Sequence, residues 1–156
     1  MDVYLIIGDK NTGKSSLIRC LTGCAQHGRG NFALTNGKTL SAYVVISALQ
    51  KYSVQFWQNS SSFIQYVQND SKAKIIDKNL IPAVLVPLWE HSGNAYPAAS
   101  QYITAFENKK LTIVKTALLD SQTPVSNYPN CQVFSGVKNK PINITAAAVR
   151  QHFEWI

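Results

Sequence analysis

The stretch Val3-Tyr4-Leu5-Ile6-Ile7-Gly8-Asp9-Lys10-Asn11-Thr12-Gly13-Lys14-Ser15-Ser16-Leu17-Ile18-Arg19-Cys20-Leu21 decides how the rest of the chain is read. Its first five residues form a continuous apolar run closed by Gly8, the pattern of a strand buried on both faces of a parallel sheet. From Lys14 onward, Leu17, Ile18 and Leu21 recur at helical spacing, and Gly23 is placed to stop the helix. Between strand and helix, Gly8 to Ser15 fits G-x-x-x-x-G-K-[ST] in full, a match expected by chance in under about 1% of chains of this length. Gly8 and Gly13 permit a backbone path that turns successive N–H groups inward, making a concave anion nest at the positive end of the helix dipole. Lys14 adds a mobile ammonium that can span β- and γ-phosphates, and the Ser15 hydroxyl is placed to hold a Mg²⁺ bridging the same oxygens. The candidate ligand-binding residues are therefore Gly8, Asp9, Lys10, Asn11, Thr12, Gly13, Lys14, Ser15 and Ser16, and the expected ligand is a nucleoside triphosphate, GTP or ATP, with Mg²⁺.

Outward from this loop, strands and helices alternate. Residues 24–40 are rich in Gly, Asn and Thr and read as a long mobile loop, followed by strands at Ala42–Leu49 and Ser53–Trp57. Ser61 or Ser62 caps a helix carrying Phe63, Ile64 and Val67, and Ala83–Leu88 makes a buried strand bounded by Pro82 and Pro87. A helix begins near Pro97 with Ala99, Tyr102, Ile103 and Phe106 on one face, and Leu111–Leu119 is the next strand. A short strand at Cys131–Phe134 precedes a terminal helix capped by Thr145, with Ala146, Val149, Phe153 and Ile156 inward. The succession predicts a three-layer α/β fold with a mainly parallel central sheet of about five or six strands. With 156 residues, 46% of them hydrophobic, and no linker or repeat, residues 1–156 read as one domain.

Composition narrows the function classes. Cys20, Cys24 and Cys131 are odd in number and carry no zinc-ribbon or redox-pair spacing, so they read as reduced thiols of a cytoplasmic protein rather than a disulfide scaffold. The apolar run Val3–Ile7 is too short for a signal peptide or a membrane span. Fifteen Lys and Arg against eight Asp and Glu give a net charge of +7, a balance that suits nucleic acid or an anionic surface. The basic residues are scattered, however, with Lys109-Lys110 the only adjacent pair, which weighs against nucleic acid as the main partner. Only eight acids are available for metal or base chemistry.

The segment from Gly8 to Ser16, continued by Leu17-Ile18-Arg19-Cys20-Leu21-Thr22-Gly23, resembles the opening of translation-factor-related and Ras-like GTPases within the P-loop NTPase superfamily. There, an Asn two residues before Gly-Lys-Ser and a closing Leu-Thr-Gly recur. The likeness covers about a tenth of the chain. It implies a divergent small GTPase-like switch: a loop from Cys24 to Leu40 whose Thr35 or Thr39 meets the metal or the γ-phosphate beside Lys14, with Ser15 and Thr35 as metal contacts, and a protein partner that reads the ordered loop. It also implies base contacts from Asp120, at the end of Ala117-Leu118-Leu119, and from Ser135 in Ser135-Gly136-Val137. The chain departs from such GTPases in two motifs. No Asp has Gly three residues later, and the strand end at Asp120 keeps only the acid of Asn-Lys-x-Asp.

Those departures favour slow turnover or binding alone over fast hydrolysis. A small ATPase or ATP-dependent phosphotransferase stays as an alternative, with Glu90 or Asp120 as the strand-end acid. So does a non-hydrolysing module with a vestigial loop that contacts protein or nucleic acid. His91, after Glu90, stands where α/β sheets place ligands, although a loop histidine without a role is the simpler reading. Cys20, Cys24 and His27 read as helix packing rather than a metal set. The absence of G-x-S-x-G removes a serine-triad hydrolase. Tyr52, Phe56, Trp57, Phe63 and Tyr66 are assigned to core packing in preference to a stacking surface.

Overall fold

The apolar run Val3–Ile7 lies in strand β1 (Asp2–Ile7), whose side chains alternate between two separate cores. The computed structural model describes residues 2–21, 28–33, 39–44, 80–92, 97–108 and 111–155. After β1 come α1 (Lys14–Leu21), β2 (Gly28–Ala33), β3 (Thr39–Val44), β4 (Leu80–Leu88), α2 (Ala99–Asn108), β5 (Thr112–Leu119), β6 (Cys131–Phe134) and α3 (Ile142–Phe153). Short 3₁₀ turns at Val125–Asn127 and Val137–Asn139 flank β6. Among the described residues the strands form one six-stranded sheet in the order β2-β3-β4-β1-β5-β6. Every neighbouring pair is parallel except β2 with β3. The architecture is thus α/β with a mainly parallel sheet.

Period-two alternation along β1 sends Val3, Leu5 and Ile7 to one face, where Tyr102, Ile103 and Phe106 of α2 cover them. Tyr4 and Ile6 face the other side, against Leu17, Ile18 and Leu21 of α1 and Ala146, Val149 and Phe153 of α3. The helical spacings read in the sequence for α1, α2 and α3 therefore mark the faces that are buried. Among the described residues, no helix is long and apolar enough to cross a membrane.

Three local expectations change. Residues 28–33 and 39–40 belong to strands, so the segment 24–40 is not one long loop. In-register antiparallel pairing, from Gly28 with Val44 to Ala33 with Thr39, supplies backbone partners that a Gly- and Asn-rich composition does not advertise. β4 starts three residues earlier than expected and runs through both Pro82 and Pro87. Pro87 lies past the last paired residue of β3, where Val44 meets Leu85, so its missing N–H removes no bond from that pairing. α3 begins at Ile142 behind Pro141, and Thr145 is a buried residue of its first turn rather than its cap. The strand at Ser53–Trp57, the helix at residues 61–67, the end of the strand at Ala42–Leu49 and the inward Ile156 lie outside the described residues.

Sheet order positions the site. The chain leaves β1 for β2, β3 and β4 on one side, then crosses to β5 and β6 on the other. The carboxyl edge of β1 is therefore a topological switch point, where open α/β sheets form a crevice for ligands. The turns after β1, β4, β5 and β6 all emerge at this edge.

Candidate functional site: the loop after the first strand

Gly8 continues the pairing of β1 by one step: its N–H donates to the Leu88 carbonyl at 3.2 Å, and the Glu90 N–H donates to the Gly8 carbonyl at 3.3 Å. A Cβ at Gly8 would collide with Thr12 Oγ1 and press on Leu119 Cβ at 3.3 Å, so a larger residue would displace the hydroxyl that holds the turn. Gly13 has φ +88°, and a Cβ there would also press on Val137 at 3.3 Å. Asn11 takes φ 62°, which asparagine tolerates. Thr12 Oγ1 donates to the Asp9 carbonyl at 2.8 Å and holds the tip. The first helical bond of α1 runs from the Leu17 N–H to the Gly13 carbonyl at 2.9 Å, leaving the N–H groups of Lys14, Ser15 and Ser16 ahead of the ladder. Those donors and the helix dipole are what an anion would meet.

Lys14 is the buried cation of this site, 8% exposed. Its Nζ donates to the Gly8 carbonyl at 2.7 Å and the Asp9 carbonyl at 2.6 Å, and lies 5.9 Å from the Trp89 ring centroid. Among the described residues it has no ion-pair partner. Burial pushes its pKa down to about 8, and the Asp9 carboxylate opposes that shift. The lysine thus closes the loop on itself through two neutral carbonyls, a weak substitute for an anion.

On the β4 side, Asp9 pairs with His91: Nδ1 stands 3.0 Å from each Asp9 carboxylate oxygen, and the His91 N–H donates to Oδ1 at 3.2 Å. That carboxylate, bonded to the ring, raises the His91 pKa above the ordinary histidine value. Glu90 is buried and accepts from the hydroxyls of Ser121, at 2.5 Å, and Thr123. Of the two strand-end acids weighed from sequence, Glu90 is the one beside the loop backbone. On the β5 side, each Asp120 oxygen accepts a backbone N–H, from Gly136 at 2.5 Å and from Val137 at 3.2 Å. Ser135 is exposed, and its carbonyl accepts from Lys140 Nζ at 3.2 Å.

The structure therefore gathers Gly8 to Ser16, Asp120 and Ser135 at one edge of the sheet. Thr39 is not among them. It opens β3 opposite Leu80, eight residues before Leu88, which puts it about 26 Å down the sheet from the loop after β1. Its expected contact with metal or γ-phosphate is corrected on that ground, because β3 starts at the amino edge of the sheet. Thr35 lies outside the described residues, between Ala33 and Thr39, which pair with each other. Cys24, His27 and the aromatics from Tyr52 to Tyr66 also lie outside them. Sequence reasoning missed the Asp9–His91 pair and the hydroxyls that hold Glu90. The only available signal was the dipeptide Glu90-His91 just past a strand end. No protein-family model matches the chain, and no curated protein matches it.

Proposed function

We propose that the chain is a P-loop nucleotide-binding protein that takes a nucleoside triphosphate with Mg²⁺ on Gly8 to Ser16, as a divergent small GTPase-like regulator with slow or no hydrolysis. The observation that carries this reading is Lys14, a buried cation that, among the described residues, donates to carbonyls of its own loop and has no ion-pair partner, beside unladdered N–H groups at the start of a helix. Triphosphate displaces the two carbonyls as partners of the ammonium, and charge-assisted bonds replace neutral ones. Ser15 would hold Mg²⁺ through its hydroxyl, and the ion would supply charge neutralisation for the phosphates. Asp120 and Ser135 flank the position of the base.

Slow turnover follows from the surroundings. Thr39 is remote, and Glu90, the buried acid at this edge among the described residues, accepts from Ser121 and Thr123 through Oε1 and has no described partner that would position a water against the phosphates. The nucleotide acts in this reading as a bound state that a protein partner recognises.

Calorimetric titration with GTP, ATP and their diphosphates, with and without Mg²⁺, tests the proposal. Mg²⁺-dependent triphosphate binding that is lost in Lys14→Ala is the expected result. Affinity unchanged in that variant sinks it. Preference for ATP moves the assignment to an ATPase or phosphotransferase, and no binding at all leaves a scaffold with a vestigial loop.

A further inference from the structure

Two of the chain's eight acids and one of its three histidines meet at the β4 side of the phosphate loop. Asp9, Glu90 and His91 each offer a ligand atom, and the three atoms lie within 4.8 Å of one another. Two carboxylates this close concentrate negative charge locally in a chain whose net charge is +7. His91 Nδ1 is 3.0 Å from both Asp9 oxygens, close to the roughly 3–3.5 Å that separates two donors bound to one ion about 2.1 Å from each.

We propose that Asp9, Glu90 and His91 form a binding site for a divalent transition-metal cation of the zinc class at the mouth of the phosphate loop. Three features of the donor set argue for it. One imidazole nitrogen with two carboxylates suits Zn²⁺, Co²⁺ or Mn²⁺ better than Mg²⁺, which prefers oxygen and retains its water. Glu90 is 6% exposed and oriented from behind by Ser121 and Thr123, and Ser121 Oγ in turn accepts the Thr123 N–H at 3.0 Å. Ligating carboxylates are commonly held by such outer partners. Asp9 and His91 keep 51% and 70% of their side-chain surface exposed, so an ion can reach the site and keep an open position for water or another oxygen ligand. A bound ion takes the place of the proton between Asp9 and His91 and ties the loop after β1 to the segment after β4.

The site stands whether or not the loop takes a nucleotide, so its test uses none. Chelator-stripped, nucleotide-free protein is titrated with Co²⁺ and followed by visible absorption, then with Zn²⁺ as competitor. One Co²⁺ per chain is expected, without a thiolate charge-transfer band, displaced by Zn²⁺ and not by excess Mg²⁺. His91→Gln, at an exposed position, and Glu90→Gln should each weaken Co²⁺ binding at least about tenfold. Far-UV circular dichroism checks the fold of both variants, and His91→Gln decides if Glu90→Gln is misfolded. No uptake, uptake unchanged in folded His91→Gln, or a thiolate band placing the ion on cysteine each overturns the site. None of these outcomes bears on triphosphate binding, which the Lys14→Ala titration reads separately.

Discussion

Lys14 shows how much one residue's surroundings decide at this site. Its ordinary pKa of 10.5 falls to about 8 because burial takes the ammonium out of water, and the Asp9 carboxylate offsets that only in part. A protonated lysine is the form that pairs with phosphate, so triphosphate affinity should fall as pH rises above about 8, where the free protein must first take up a proton. Calorimetry at about pH 7 and about pH 9.5 checks this, and equal affinities would show that Lys14 does not meet the phosphates. The same depression means that the unfolded chain binds more protons than the folded one between about 8 and 10.5, so this group raises ligand-free stability with pH across that window. Gly8 and Gly13 were legible in sequence as turn positions because the motif encodes a backbone path, and the close contacts that a Cβ would make at both agree with that reason. Asp9 with His91 was not legible. The two residues are 82 positions apart, and only the pairing of β1 with β4 brings them together.

At the scale of elements, the helices were the easiest to read, since a buried stripe repeats along each of them. Their ends were harder. α3 starts three residues before the threonine expected to cap it, because Pro141 holds φ −56° and leads directly into Ile142. Its other end turns through Glu154 at φ 60°, with the Trp155 N–H on the Arg150 carbonyl and the Glu154 N–H on the Gln151 carbonyl. This is a Schellman closure carried by a residue other than glycine. Glu154→Gly should therefore raise unfolding free energy by about 0.5–1 kcal/mol in urea denaturation, and a loss would mean that the side chain of Glu154 outweighs the backbone conformation. β2 and the first residues of β3 were illegible for a related reason: their composition reads as loop, and cross-strand register is a long-range property, whereas Ala42 to Val44 fall within the strand expected from Ala42 onward.

Across the whole molecule, the sheet separates two cores that share only the strands between them. Ile18 lies in the core beneath α1 and Ile103 in the core beneath α2. Ile18→Val and Ile103→Val should each cost about 0.5–1.5 kcal/mol, and the double variant should cost their sum to within about 0.5 kcal/mol. Urea unfolding of the three variants checks this, and a larger discrepancy would mean that the sheet transmits repacking from one face to the other. The α/β class and the parallel sheet were readable from the alternation of patterns. The antiparallel edge was not, because the hand-over from β2 to β3 depends on pairing rather than on local preference.

The ring of Tyr4 lies 4.8 Å from that of Trp155 and 5.0 Å from that of Phe153. One core is thus completed by side chains about 150 positions apart. During translation, the face of the sheet around Tyr4 has no final cover until α3 and Trp155 have left the ribosome. Until then that face is an apolar surface that a chaperone could shield and that a neighbouring nascent chain could mistake for its own.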